Sequence, residues 1–218
     1  MTGKAGAENI YSGLIEPFLS KRPRKCYPFD MKTKTLARDK LWEFATSQHG
    51  YVTIQQAASL GITKDALVML AQRGTINRVA FGVYRLPNFP YSAADRLMLA
   101  VLWTRAPEAA LSHETALDLY GISDINPVKY HITVAKSRRL RRADSGPYAI
   151  HYENLDTQQI GWWEEVPIVK PPTAIAQCID YGTPTHVIRQ ALERGYQQGR
   201  ITLKQREELA TKLERRNG

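Results

Sequence analysis

The chain has 218 residues, 43% of them hydrophobic and 23% charged, which suits one or two soluble folded domains, with two the better fit to the length. No apolar run approaches the roughly 18 residues of a membrane span, and the start lacks the basic-then-apolar pattern of a secretory signal, so a cytoplasmic protein with no membrane partner is expected. The net charge of +9 points to a polyanionic partner, because clustered Lys and Arg gain free energy by displacing counterions condensed on phosphates; charge alone does not separate DNA from RNA or an acidic protein.

Residues 1–34 carry Gly3, Gly6, Gly13, Pro17, Pro23 and Pro28 around the basic run Lys21-Arg22-Pro23-Arg24-Lys25, without a sustained period. This reads as a flexible arm that follows a minor groove or backbone, or equally as a solvated tail. Tyr11, Leu14, Ile15, Phe18 and Leu19 recur at helical spacing, as a short docking helix would.

From Thr35 the period is helical, with Ala37, Leu41, Phe44 and Ala45 on one stripe and the end near Gly50. Tyr51-Val52-Thr53 is a β-prone link, and Thr53 with Gln56 forms a capping box for a second helix whose Ile54, Ala57 and Ala58 face inward. In the turn Leu60-Gly61-Ile62-Thr63, Gly61 can take the positive φ of a sharp helix exit and Thr63 can accept from the next helix's free amides. The third helix, Lys64 to Arg73, buries Ala66, Leu67, Leu70 and Ala71 and leaves Lys64, Asp65, Val68, Gln72 and Arg73 outside.

Thr75 to Arg85 then alternates around Gly82 as a hairpin, with Arg78 and Arg85 near a phosphate backbone and Phe81 at the tip. Helix, turn, helix and basic wing is the order of a winged helix-turn-helix. On that reading Lys64 reaches guanine or phosphate, Asp65 accepts from cytosine N4, Val68 meets a thymine methyl and Gln72 pairs with adenine. Viewed alone the helix face is an ordinary solvated one; the wing that follows favours DNA.

Pro87 and Pro90 close the module, and a boundary near residue 90 is expected. Ser92 with Asp95 opens a helix bearing Leu97, Val101 and Leu102, and another helix follows Ser112. Strand-like runs occupy Tyr130 to Val134, Ala149 to Tyr152 and Pro167 to Val169, and three helices follow at Pro172 to Tyr181, His186 to Gln198 and Leu203 to Arg216. The expected class is therefore α+β: arm 1–34, winged helix-turn-helix 35–89, and a mixed α/β C-terminal domain 90–218.

The run Lys136-Ser137-Arg138-Arg139-Leu140-Arg141-Arg142 is the densest charge cluster, just after a strand. Five cations in seven residues repel one another without an anion, so Lys136, Arg138, Arg139, Arg141 and Arg142 join the expected DNA-binding set; docking an acidic protein surface is the alternative.

The segments Gly50-Tyr51-Val52-Thr53, Gly61-Ile62-Thr63 and Arg73-Gly74-Thr75-Ile76-Asn77-Arg78-Val79-Ala80-Phe81-Gly82-Val83-Tyr84-Arg85-Leu86-Pro87 together resemble the N-terminal winged helix of AbiEi-type antitoxins of type IV toxin–antitoxin (abortive infection) systems. Leu111-Ser112-His113-Glu114-Thr115-Ala116-Leu117 and Gly121-Ile122 resemble the start of that family's C-terminal domain, and the likeness spans roughly residues 35 to 200. The resemblance implies an autorepressor bound to double-stranded DNA repeats in its own promoter, with a C-terminal domain needed to neutralise a nucleotidyltransferase toxin, directly or indirectly. Two departures stand out. The recognition helix has Asp65, Ala66, Val68 and Ala71 where family members often carry more arginine, and the basic N-terminal extension is unusual.

No other chemistry emerges. His113-Glu114 point in different directions on a helix, and His131 and His151 read as packed or surface histidines in strands, so no metal ligand is expected. Asp144, Glu153, Glu164, Glu165 and Lys170 match no defensible nuclease spacing. Cys26 and Cys178 read as reduced thiols, and of the adjacent Trp162 and Trp163 one is expected to be exposed. With no phosphate loop, nucleophile elbow or paired-cysteine motif, neither cofactor nor catalysis is expected. A repressor without a toxin partner and a nuclease-like accessory protein are the competing readings.

Overall fold

Local capping chemistry decides the first third of the fold in the computed structural model, which describes residues 36–140 and 146–218. The N-terminal arm, Arg141, Arg142 and Asp144 lie outside the described residues. Helix α1 (Ala37–Ala45) buries Leu41 and Ala45 and runs through a tight turn to Gly50. Gly50 has φ +82°, and a Cβ there would meet Phe89 at 2.6 Å, so conformation and packing both demand glycine.

Strand β1 (Tyr51–Thr53) leads into α2 (Ile54–Ser59) through the expected capping box: Gln56 N–H donates to Thr53 Oγ1 at 3.2 Å, and Thr53 N–H donates to Gln56 Oε1 at 2.8 Å. Gly61, at φ +77°, turns the chain out of α2. Thr63 Oγ1 then accepts from Ala66 N–H and starts α3 (Lys64–Gln72), which buries Leu67. Ala57 is buried as expected, whereas Ala58 is exposed, because the short α2 turns only one narrow stripe inward.

The hairpin of β2 (Asn77–Ala80) and β3 (Val83–Arg85) joins β1 in an antiparallel sheet of order β1-β3-β2, with Tyr51 opposite Arg85 and Val52 opposite Tyr84. Strand alternation sends Tyr84 into a helical core with Leu41, Val52, Leu67 and Ile76. Val83 and Tyr51 enter the other, larger core. Both faces of β1 and β3 are thus covered.

That second cover is α4 (Asp95–Thr104), which buries Asp95, Leu97, Met98, Ala100, Val101 and Thr104. It packs against β1 and β3 of the first sheet and against three strands of the second. The residues of Thr35–Gly218 consequently form one compact unit. Ser92 and Asp95 do interact, but in the reverse sense to an N-cap by Ser92: its N–H and Oγ–H donate to Asp95 Oδ1 at 3.2 and 2.9 Å, and Ala94 occupies the N-cap position.

The second sheet comprises β4 (Ala110–Leu111), β5 (Tyr130–Val134), β6 (Tyr148–Tyr152), β7 (Ile160–Trp163) and β8 (Val166–Val169), in the order β6-β5-β4-β8-β7. Strands β4 and β7 are additions to the sequence-based expectation. β4 is too short to show alternation, and β7 is interrupted by Gly161 between Ile160 and Trp162. Trp163 packs on the core while Trp162 is 71% exposed, as alternation requires.

Helix α5 (His113–Leu119) packs on β5 and on α6 (Pro171–Tyr181), and α6 packs on α7 (Thr185–Gln197) and α8 (Leu203–Asn217). These ends lie within one or two residues of those expected. Pro171 at the first helical position, Gly182 beyond the last, and a capping box of Thr202 with Gln205 are the local reasons. The architecture is α+β.

The joint between the two sheets rests on a buried ion pair. Arg85 is 3% exposed, and its Nη2 donates to Asp95 Oδ2 at 2.7 Å and to the carbonyls of Phe89 and Pro90. Its guanidinium lies 3.8 Å from the Tyr91 ring centre and 5.5 Å from that of Tyr51. Arg85→Ala is expected to lower unfolding free energy by about 3–5 kcal/mol in urea denaturation, since it leaves Asp95 buried without its cation. A loss below about 1 kcal/mol contradicts this account of the joint.

Candidate nucleic-acid interface

On α3 the hydroxyl cap and the single deeply buried Leu67 set the helix rotation, so Lys64, Asp65, Val68, Gln72 and Arg73 all stand at the surface. Val68 is 37% exposed, an apolar side chain open to solvent beside polar ones. On the wing, Arg78 is exposed and Phe81 is 63% exposed at the tip. Arg85 is the correction to the expected set. It faces α4 rather than solvent, because β3 is covered on both sides, and its charge is neutralised by Asp95.

Lys136, Arg138 and Arg139 are exposed after β5. Arg138 makes a two-pronged pair with Glu108, Nε to Oε1 at 2.8 Å and Nη2 to Oε2 at 3.0 Å, and this hydrogen-bonded guanidinium holds the Glu108 carboxyl below the usual carboxylate range. The pair orients Arg138 while reducing its free charge. Lys136 N–H donates to Asn154 Oδ1, which anchors the base of the loop.

The tertiary structure brings the wing and this basic loop together. A cleft of about 710 Å³ is lined by Phe81 from the wing turn, Gln55 at the start of α2, Thr104 and Arg105 at the end of α4, and Ser137, Arg138, Arg139 and Leu140. The guanidinium of Arg105 lies 5.3 Å from the Phe81 ring centre and that of Arg78 5.5 Å, so the wing tip is an aromatic ring between two cations. Such a concavity offers a π-face and guanidinium donors of the kind that contact phosphate and sugar.

Arg105 is absent from the sequence-derived set. Its signal was faint: an arginine directly after an apolar helical run, where glycine usually ends a helix. It adopts the left-handed conformation, φ +60° and ψ +18°, and this turn points its side chain at the wing.

A second polar cluster lies against the second sheet, where sequence reasoning saw unrelated histidines. His131 and Thr133 share one face of β5, and β6 contributes His151 beside them. Helix α5 adds His113 and Glu114, and α6 adds Gln177 and Tyr181. Burial, aided by His151 and His131, pushes His113 down to about 2; burial and His131 push His151 down to about 4. Burial also lowers His131, against the opposing pull of Glu114, and raises the nearby Cys178 thiol to about 12.

The nuclease-like acids do not converge. Glu153 follows β6 at one edge of the sheet and hydrogen-bonds Gln177, whereas Glu164 and Glu165 form the β7–β8 turn at the other edge.

Three helices with an antiparallel hairpin on the third define the first part of the chain as a winged helix-turn-helix. Residues 39–87 match the family described as transcriptional regulator, AbiEi antitoxin. The chain is also similar to the crystal structure of the RV2827C protein from Mycobacterium tuberculosis, with 16% identity and a TM-score of 0.48 over 79% of this chain and 70% of that one. No curated protein matches its sequence significantly.

Arg105→Gly removes a cation from the cleft and also relieves a left-handed backbone that costs a non-glycine residue roughly 1–2 kcal/mol. It is expected to leave stability within about 1 kcal/mol of the parent, the lost cation–π contact offsetting the relief. Affinity for duplex DNA should fall, and the slope of log affinity against log salt should flatten by roughly 0.9. Unchanged binding and slope removes Arg105 from the interface.

Proposed function

We propose that the protein is a DNA-binding antitoxin and transcriptional autorepressor of a type IV toxin–antitoxin operon, acting in the cytoplasm without catalysis. Residues 35–89 read repeats in its own promoter through Lys64, Asp65, Val68, Gln72 and Arg73. Arg78, Lys136, Arg138 and Arg139 hold the phosphate backbone, Phe81 at the wing tip packs beside them on the DNA, and residues 90–218 serve to neutralise a nucleotidyltransferase-type toxin, directly or through its target.

The observation that carries the DNA part is the shared cleft, in which the wing tip and the basic loop meet. A match to a regulator family over residues 39–87 supports it, and among the described residues no helix is long and apolar enough to cross a membrane. A repressor without a toxin partner is the second reading, since the family match covers the DNA-binding module, residues 39–87, and does not itself speak for a toxin partner.

Salt-titrated binding to the gene's own upstream DNA against scrambled DNA of equal length tests the first part. The double variant Lys64→Ala with Gln72→Ala is expected to lose about 1–3 kcal/mol per base contact on the upstream fragment and little on scrambled DNA. Arg78→Ala with Arg139→Ala should weaken both alike and flatten the salt dependence. Equal losses on both DNAs for both pairs sink the recognition-helix assignment.

Co-expression tests the second part. A neighbouring nucleotidyltransferase gene should arrest growth alone and be rescued by the full chain, and rescue should survive the Lys64→Ala, Gln72→Ala double change when both genes are driven from foreign promoters. Absence of rescue leaves the repressor reading.

A further inference from the structure

We propose that His113, His131 and His151 form a binding site for one divalent transition-metal ion, of which Zn²⁺ is the best fit. One ligand atom from each of the three lies within 4.8 Å of the others. The histidines come from the start of α5, from β5 and from β6, so the ion would tie three elements that approach one another only in the folded chain.

The geometry is organised around the ring nitrogens. His131 Nδ1 and His151 Nε2 are 3.0 Å apart. Metal–nitrogen bonds of 2.0–2.1 Å in a tetrahedral site set its ligands about 3.4 Å apart, so these two atoms need to separate by a few tenths of an ångström, and their near-parallel rings, 14° apart, need to turn for both lone pairs to meet one ion.

Each of two ligands has a group behind it that selects the nitrogen facing inward. Glu114 Oε2 stands 3.7 Å from His131 Nε2, which leaves Nδ1 for the ion; Ser112 Oγ lies 3.0 Å from His113 Nδ1, which leaves Nε2. A carboxylate or hydroxyl on the far nitrogen is how metal-bound imidazoles are oriented and made more basic. Glu114 is itself held, accepting from Thr183 Oγ1 at 2.9 Å.

His113 has φ +50°, a left-handed conformation at the first residue of a helix and costly for a residue with a Cβ. That backbone presents its ring to the other two: it stacks on His151 with centres 3.6 Å apart and lies 5.8 Å from His131. Binding requires the stacked pair to open by side-chain rotation.

Tyr181 meets all three rings edge-on at 5.1–5.6 Å and is half exposed, and His151 is half-buried, so solvent reaches the cluster and can supply a fourth ligand. An all-imidazole set suits Zn²⁺, Ni²⁺ or Co²⁺ and disfavours Ca²⁺ and Mg²⁺, which take oxygen ligands.

The test uses the full, tag-free chain, stripped with a chelator and titrated with Co²⁺, which reports its coordination by visible absorption. The expected result is uptake of one Co²⁺ per chain with the spectrum of a low-coordinate nitrogen site, and its displacement by Zn²⁺. Zn²⁺ alone should raise the melting temperature of the parent chain.

His151→Gln, at a half-buried position that tolerates an amide, should weaken Co²⁺ binding by about 100-fold or more, and Glu114→Gln by roughly 10- to 100-fold. His186→Gln, at an exposed position on α7, should change nothing. No uptake by the folded parent chain overturns the proposal, as does a Co²⁺ signal that persists in His151→Gln while circular dichroism shows that variant folded. His131→Gln is a further variant, read by the same spectrum, if His151→Gln fails to fold.

Discussion

The pairing of Arg85 with Asp95 is the constraint on which the arrangement of the whole chain depends. It joins the last residue of the wing sheet to the first residue of the central helix α4, inside a region closed to water. Two charges in that position are tolerated because each offsets the other, with the Phe89 and Pro90 carbonyls accepting from Nη2 and two tyrosine rings lying against the cation, while Arg85 Nε and Nη1 are buried without a hydrogen-bond partner among the described residues. A shift of α4 along the sheet would leave both charges unpaired. The ion pair therefore selects one register between the winged helix and the second sheet, where apolar contact alone would tolerate several. His49 reinforces the same joint, bridging the Glu164 carbonyl at 2.7 Å and the Ser92 hydroxyl at 3.0 Å.

From that register follows the geometry of the basic cleft. Because α4 is fixed against β1 and β3, its C-terminal Arg105 stands beside the wing tip. Because the same helix packs on β5, the loop after β5 reaches the other side of the cleft. Phe81 on one wall and Arg139 on the other are 58 positions apart in sequence. A winged helix on a free tether would not present them together. The proposed DNA surface is thus a property of the joint as much as of either part.

The second sheet departs from an apolar core in a specific way. One face of β5 and β6 carries His131, Thr133 and His151, under Gln177 and Tyr181 of α6, and buried polar groups are costly unless paired. Here the pairing is extensive: Gln177 donates to Glu153 and lies within reach of Thr133, and Thr115 Oγ1 accepts from the backbone N–H of His131. Packing alone gives no reason to gather three imidazoles on each other's ring faces, with a strained backbone at one of them.

Much of the fold was legible in the sequence because its signals are local. Thr53 with Gln56, Gly61 with Thr63, Pro171 and Gly182, and Thr202 with Gln205 each mark a helix end through chemistry confined to a few neighbouring residues, and the helical periods between them name the buried stripes. Strand β4 escaped because two residues carry no period. The burial of Arg85 escaped because the alternation of β3 says which residues share a face but not whether a second element covers it. Arg105 and the three histidines lie at helix ends or in strands whose neighbours are set by long-range packing. The sequence by itself determined the helices, most of their ends and the winged-helix order, since these depend on contacts within a turn or a hairpin. Only the tertiary structure decided which cations stay in solvent and which titratable groups meet, because both depend on how distant segments cover one another.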